Sequence, residues 1–176
     1  RDWKDIKHDS EVFNGRLLQN RVGYTTSDQI PMLMGLRGEP WLGALEEEIL
    51  EKIPRDGISR NDLLNQYPRG KDFTHIQRSV KSAISNLERQ LAIAKQYLEI
   101  PNRKRSLAIF RKLHGNVKPL PFKQALSELI FRIGPVRLHT LKFFVARPVE
   151  ELAEVLRELE TQDIIKRVVA LQPDPT

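Results

Sequence analysis

"THIQRSVKSAISNLERQLAIAKQYLEIPNRKRSLAIFRKL", residues 74–113, decides how the rest of the chain is read. In its first half Ile76, Val80, Ala83, Ile84, Leu87 and Leu91 recur every three or four positions, the spacing of one helical face. Thr74 stands where an N-cap belongs, and the pattern predicts a helix to about Gln90. The period then changes. "LAIAKQYLEI" (91–100) and "SLAIFRKL" (106–113) are β-rich runs around a short turn, which predicts a hairpin. Pro101 and Asn102 supply the backbone angles of that turn. The cations that follow, Arg103, Lys104 and Arg105, do nothing for the turn and repel one another.

Working outward toward the N-terminus, "EPWLGALEEEILEKI" (39–53) places Pro40 near a first turn and sets Trp41, Leu42, Leu45, Ile49 and Ile53 at helical spacing. Glu46, Glu47, Glu48 and Glu51 fall mostly on the opposite face. "PRDG" ends this helix, and Ser59 caps a second short one, Arg60 to Tyr67, with Leu63 and Leu64 inward. Three helices followed by strand, turn and strand is the order of a winged helix, a helix-turn-helix variant in which the third helix docks and the hairpin forms the wing. Residues 40–116 are therefore predicted to be one winged-helix domain.

The order recurs beyond it in shortened form. "PFKQALSELIFRIG" (121–134) and "PVRLHTLKFFVA" (135–146) predict two helical elements, the second with Leu138, Leu141, Phe144 and Val145 as core and His139 in apolar surroundings. "RPVEELAEVLRELETQD" (147–163) predicts a third helix with Val149, Leu152, Val155, Leu156 and Leu159 inward, and "IIKRVVALQ" (164–172) a closing strand. Residues 119–172 are predicted to be a second winged-helix-like domain. The fold class is mainly α with small β-hairpins, an α+β arrangement of tandem winged helix-turn-helix domains. Residues 1–39 carry the weakest pattern. Val12, Phe13, Leu17 and Leu18 mark an amphipathic segment, Ser27 a cap for a helix through Met34, and Gly35, Gly38 and Pro40 a break. They are expected to be a connector or a fragment of a neighbouring unit.

Charge separates the units. The chain of 176 residues carries a formal +6. Residues 1–59 hold 8 Lys/Arg against 11 Asp/Glu, residues 60–118 hold 13 against 4, and residues 119–176 hold 8 against 8. The surplus gathers in the unit that contains the cationic turn, the footprint of a polyanion partner. A winged helix presents its third helix to the major groove, which is wide enough for one, and its wing to phosphates or the minor groove. Gln77, Arg78, Lys81, Ser82 and Ser85 on that helix, with Arg103, Lys104 and Arg105 at the wing tip and Arg111 and Lys112 on the strand behind it, are the candidate contacts to double-stranded DNA. Strand alternation sets Lys104 against its two neighbours, so the three tip cations do not all face one way. A charged turn also keeps a hairpin soluble and guards its edge, which is the alternative explanation of these cations. The third helix of the second unit carries Glu150, Glu151, Glu154, Glu158 and Glu160 against Arg157. Phosphate would repel it, so this face is expected to be solvated or to meet a basic partner or neighbouring domain.

Other chemistries find little support. The composition is 40% hydrophobic and 30% charged, ordinary for a globular chain. No apolar run reaches the length of a membrane span and no secretory signal is visible. The chain opens Arg1-Asp2-Trp3 without Met, as a piece of a longer protein does. It holds no cysteine, which removes disulfides and thiolate metal sites and fits an intracellular, DNA-associated setting. His8, His75, His114 and His139 are scattered singly, so no metal or other cofactor is expected. GxxxxGK[ST], GxGxxG and GxSxG are absent, and the paired glutamates sit in solvated faces. "TSDQIP" (26–31) sets Asp28 beside Gln29, a pairing that some DNA glycosylases use, but reads better as a helix start. No enzymatic activity is expected.

"FRIGPVRLHTLKFFVARPVEELAEVLRELETQDIIKRV" (131–168) resembles the winged-helix domains of AlkZ/YcaQ-type DNA glycosylases, which recur in the C-terminal regions of Lhr-type helicases. In those a helix ends at Gly-Pro, as at Gly134-Pro135, an aromatic short helix follows, as at Phe143-Phe144, and then a Leu-rich helix runs into a strand. "GISRNDLLNQYP" (57–68) and "IQRSVKSAISNLERQLAIAK" (76–95) are similar to the preceding unit. The resemblance covers about 130 residues and implies tandem winged helices in DNA repair, DNA processing or transcription. The glycosylases also carry an early Gln-x-Gln or Gln-x-Asp element. Gln29-Ile30-Pro31 departs from it at the third position, so no catalytic role is carried over. The competing function is a protein–protein scaffold of paired winged helices in a chromosome-organising or transcription assembly, with the acidic helix as its working surface.

Overall fold

The computed structural model describes residues 11–18, 21–67, 73–98 and 107–167. The helix that opens the reading forms as α4, Phe73–Arg89, and Thr74 lies inside its first turn. Val80, Ala83, Ile84 and Leu87 are all buried. Its C-terminus turns through Leu91, held at φ 55°, a region unfavourable for a branched side chain. Burial of Leu91, 1% exposed, and the return bond from Ala92 N to Leu87 O at 2.9 Å offset that cost.

Before α4 come α2 (Ala44–Lys52), β3 (Ile58–Ser59) and α3 (Arg60–Asn65). Ser59 caps α3 as its position predicts, its Oγ accepting from Asp62 N at 3.1 Å. After α4 come β4 (Ile93–Leu98) and β5 (Leu107–Lys112), antiparallel from Ile93↔Lys112 to Leu98↔Leu107. β3 pairs with β5 through Ile58↔Phe110 and Ser59↔Ile109. Two residues are too few for periodicity to reveal, so this strand is legible only in the assembled sheet. Helix, strand, helix, helix, strand, strand is a winged-helix-like α+β arrangement, in agreement with the expected fold class.

The stretch expected to be a connector carries regular structure. β1 (Val12–Leu18) and β2 (Arg21–Thr26) form a hairpin that joins the sheet through Asn14↔Lys95, giving the order β2-β1-β4-β5-β3. Its inward face alternates Val12 with Asn14, both buried, and the Asn14 amide is satisfied by donating to Gly23 O at 3.1 Å. A buried polar residue at a core position hides the strand from a hydrophobicity pattern. A 3-10 turn at Ser27–Gln29 then leads into α1 (Ile30–Arg37). Ser27 does not cap this helix, which begins three residues later with Pro31 in its first turn.

α1 is apolar almost all round, with Ile30, Met32, Leu33, Met34 and Leu36 buried. It packs on α5 (Phe122–Ile133). A Cβ at Gly35 would stand 2.3 Å from Leu120 O, so only glycine admits this approach. α6 (Leu138–Phe144) and α7 (Val149–Thr161) complete that half. Two apolar cores result. One joins α1, Leu91, Ala94 and Leu113 to α5, α6 and α7, and the other joins α2, α3 and α4 to β3, β4 and β5. Arg37 crosses between them, donating to Arg89 O at the end of α4 and to Arg16 O at 2.8 Å.

Several expectations need correction in the second half. His139 and Leu138 are exposed rather than internal, as is Val149 at its helix start, because α6 and the opening of α7 present these positions to solvent. No strand forms at residues 164–167, and 168–172 lie outside the described residues. Among the described residues no helix is long and apolar enough to cross a membrane.

Candidate nucleic-acid interface

The apolar stripe of α4 is pressed into its core, so the opposite face is turned outward. Arg78, Lys81, Ser82 and Ser85 follow at i, i+3, i+4 and i+7 and form one ridge, flanked by Gln77. Arg78, Lys81 and Ser82 are exposed, and Gln77 and Ser85 half-buried. Neither Arg78 nor Lys81 is held in an ion pair among the described residues. The ridge can thus offer two exposed cations and short polar donors to an anionic ligand.

The remaining candidates fare differently. Arg111 is occupied inside the protein: its Nε donates to Gln96 Oε1 at 2.9 Å and an Nη to Arg55 O at 3.1 Å. Lys112 is half-buried at the end of β5, opposite Ile93, away from the α4 ridge in sequence and element. Arg103, Lys104 and Arg105 lie outside the described residues. Lys95, which carries part of the basic surplus, is paired with the buried Glu88 at 2.7 Å and stands 5.7 Å from the centre of the Phe110 ring. Counting cations along the chain cannot distinguish those used internally from those offered to a partner.

The acidic face of α7 is largely answered from within. Glu151 meets Arg147 at 2.6 Å, Glu158 meets Lys123 at 2.8 Å and Glu160 takes both sides of the Arg167 fork at 3.0 Å. Arg147 also lies 4.5 Å from the centre of the Phe122 ring. Lys123 comes from α5, so its neutralising role is invisible on a helical wheel of α7, whereas Arg147 stands four residues before Glu151.

Gln29, at the start of α1, accepts from Thr25 Oγ1 at 3.3 Å and lines a hollow of about 530 Å³ between β2, α1, α5 and α6. Asp28 is exposed. No group of three or more potential metal ligands occurs among the described residues.

The fold and this outward ridge define a winged-helix-like α+β protein with a cationic helix face. Neither a protein-family model nor a curated protein sequence matches the chain. Among solved structures, the DNA glycosylase AlkZ of Streptomyces sahachiroi matches 86% of this chain with a TM-score of 0.57 and 12% identity. The match takes up 48% of that chain, so this sequence spans about half the length of the protein it is similar to. The likeness carries the fold, which is AlkZ-like. It also corrects the expectation that no enzymatic activity belongs here, because the solved protein that shares the fold is an enzyme. Motif inspection tests short local spacings and is blind to residues that a fold assembles from separate segments.

Proposed function

We propose that this chain is a DNA-engaging part of an enzyme of the DNA-glycosylase kind, binding duplex DNA through the outer face of α4. The observation that carries this reading is the exposed Arg78 and Lys81 ridge, set on the third helix of a winged-helix-like unit within an AlkZ-like fold. Gln77, Ser82 and Ser85 flank the cations and meet base edges or sugar and phosphate oxygens. Arg103, Lys104 and Arg105, between β4 and β5 in the sequence, add phosphate contacts on this reading. Two winged-helix units in tandem, the second built around α5, α6 and α7, are part of the same proposal, as is a DNA-associated location. Lhr-type helicase C-terminal regions are the second setting for the same arrangement.

The test is a duplex titration at two salt concentrations, run beside incubation with alkylated duplex scored for abasic sites. Affinity should fall severalfold or more as salt rises, since each phosphate contact releases a counterion. Reversing two of these charges, Arg103→Glu with Arg105→Glu, should weaken binding on every duplex. Salt-independent binding would remove the DNA reading. Intact alkylated duplex would remove the glycosylase reading for this chain.

A further inference from the structure

We propose that a groove around the C-terminal end of α5 docks an acidic amphipathic helix from a partner protein. Three hollows meet there. The largest, about 530 Å³, has Met32, Leu33, Leu129 and Phe144 as its floor and Arg132 and Ile133 on its wall. A second, about 450 Å³, shares Arg132 and adds Phe131. A third, about 460 Å³, shares Ile133 and Phe144 and continues to Arg137 and His139. The shared residues make the three one continuous surface, bordered by the outer strand β2.

The apolar content of this surface is unusual for solvent-facing protein. Phe131 is 90% exposed, Val22 66% and Ile133 41%. Phe143, 49% exposed, lies at i+4 from His139 and extends the same face of α6. Apolar side chains gathered in this way mark interaction sites, whereas isolated ones do not. Aromatic residues with arginine are the composition of interface centres.

Charge selects the occupant. Arg132, Arg137 and His139 line the hollows, and among the described lining residues Glu128 is the one acid. A helix with an apolar stripe at i, i+3, i+4 and i+7 would set that stripe on the floor and its carboxylates against the two guanidinium groups. A second copy docked about a two-fold axis would bring these arginines toward their own equivalents. A duplex would satisfy the arginines but leave the exposed side chains of Phe131, Val22 and Ile133 against hydrated phosphates. The α4 ridge belongs to the other core, so peptide and duplex should bind without excluding one another.

The probe is a fluorescein-labelled helical peptide of about four turns, with Leu and Phe on one face and Glu elsewhere, and a control with Lys in place of Glu. Anisotropy should show saturable binding of the Glu peptide alone, weakened on the order of tenfold by Phe131→Ser and by Arg132→Glu. Both side chains are exposed, so both variants should melt with the parent. If Phe131→Ser melts early, Arg132→Glu alone decides. Equal binding of the Lys peptide, indifference to the variants, displacement by unlabelled duplex, or a dimer that Phe131→Ser dissociates would each overturn the proposal.

Discussion

Arg111 and Gln96 are joined across the β4–β5 ladder, the Arg111 Nε donating to Gln96 Oε1 at 2.9 Å. Gln96 is itself buried, 4% exposed, so the bond satisfies a polar group cut off from water. Arg111 then reaches past the strand to Arg55 O and ties the segment before β3 to the hairpin. A cation that looks like a phosphate ligand in sequence is a brace in the fold. Arg111→Ala should therefore lower stability by about 1–3 kcal/mol, the worth of the hydrogen bonds made by a charged group, while duplex affinity changes little. Chemical denaturation and a duplex titration on the same variant check the split.

The reverse split is expected at Arg78 and Lys81. Both are exposed on α4, so replacing them leaves packing untouched and stability within about 0.5 kcal/mol of the parent. If each neutralises one phosphate, the double variant Arg78→Ala/Lys81→Ala should flatten the slope of log affinity against log salt by roughly 1.8. An unchanged slope would move the contact surface elsewhere.

Gly35 is the close-contact point between α1 and the chain leading into α5. Gly35→Ala puts a methyl group within reach of Leu120 O and of the Ala125 Cβ, 2.3 and 2.9 Å from its ideal position. Overpacking of this kind costs about 1–3 kcal/mol. The thermal midpoint should fall, and α4-mediated duplex binding should persist at temperatures below it.

Arg37 spans the two cores from α1 to the carbonyls of Arg89 and Arg16, and burial draws its pKa down. Arg37→Met keeps the aliphatic stem but strands both carbonyls. A loss of about 1–3 kcal/mol is expected for the hydrogen bonds of one charged group, with faster hydrogen exchange at the last turn of α4.

Tyr67 gives a pH signature. Its phenol is buried without a hydrogen-bond partner among the described residues, and burial, assisted by the Glu48 charge, pushes its pKa up to about 12. In the unfolded chain a tyrosine titrates near 10, roughly its ordinary value. Below that pH both states keep the proton and Tyr67 adds no pH dependence. Between about pH 10 and 12 the unfolded state loses its proton first, so stability falls as pH rises. Tyr67→Phe should remove this alkaline loss and alter neutral-pH stability by about 1 kcal/mol or less. Melting curves from pH 8 to pH 12 compare the two.

Residues 40–113 were the most legible part of the chain because there one physical rule governs each element. The α4 stripe, the Ser59 cap and the change of period at Leu91 all reflect local geometry. By itself the sequence determined the winged-helix-like order, the α+β class and the outward polar ridge of α4. Tertiary structure alone decided the rest, because each remaining feature depends on residues far apart in the chain. The β1–β2 hairpin rests on a buried Asn14 that only a partner strand can satisfy. Strand β3 exists through β5, and the groove beside α5 forms from four separate segments. Which cations are engaged internally and which stay in solvent was likewise decided in three dimensions, where Glu88 and Gln96 engage Lys95 and Arg111 and Arg78 and Lys81 are exposed.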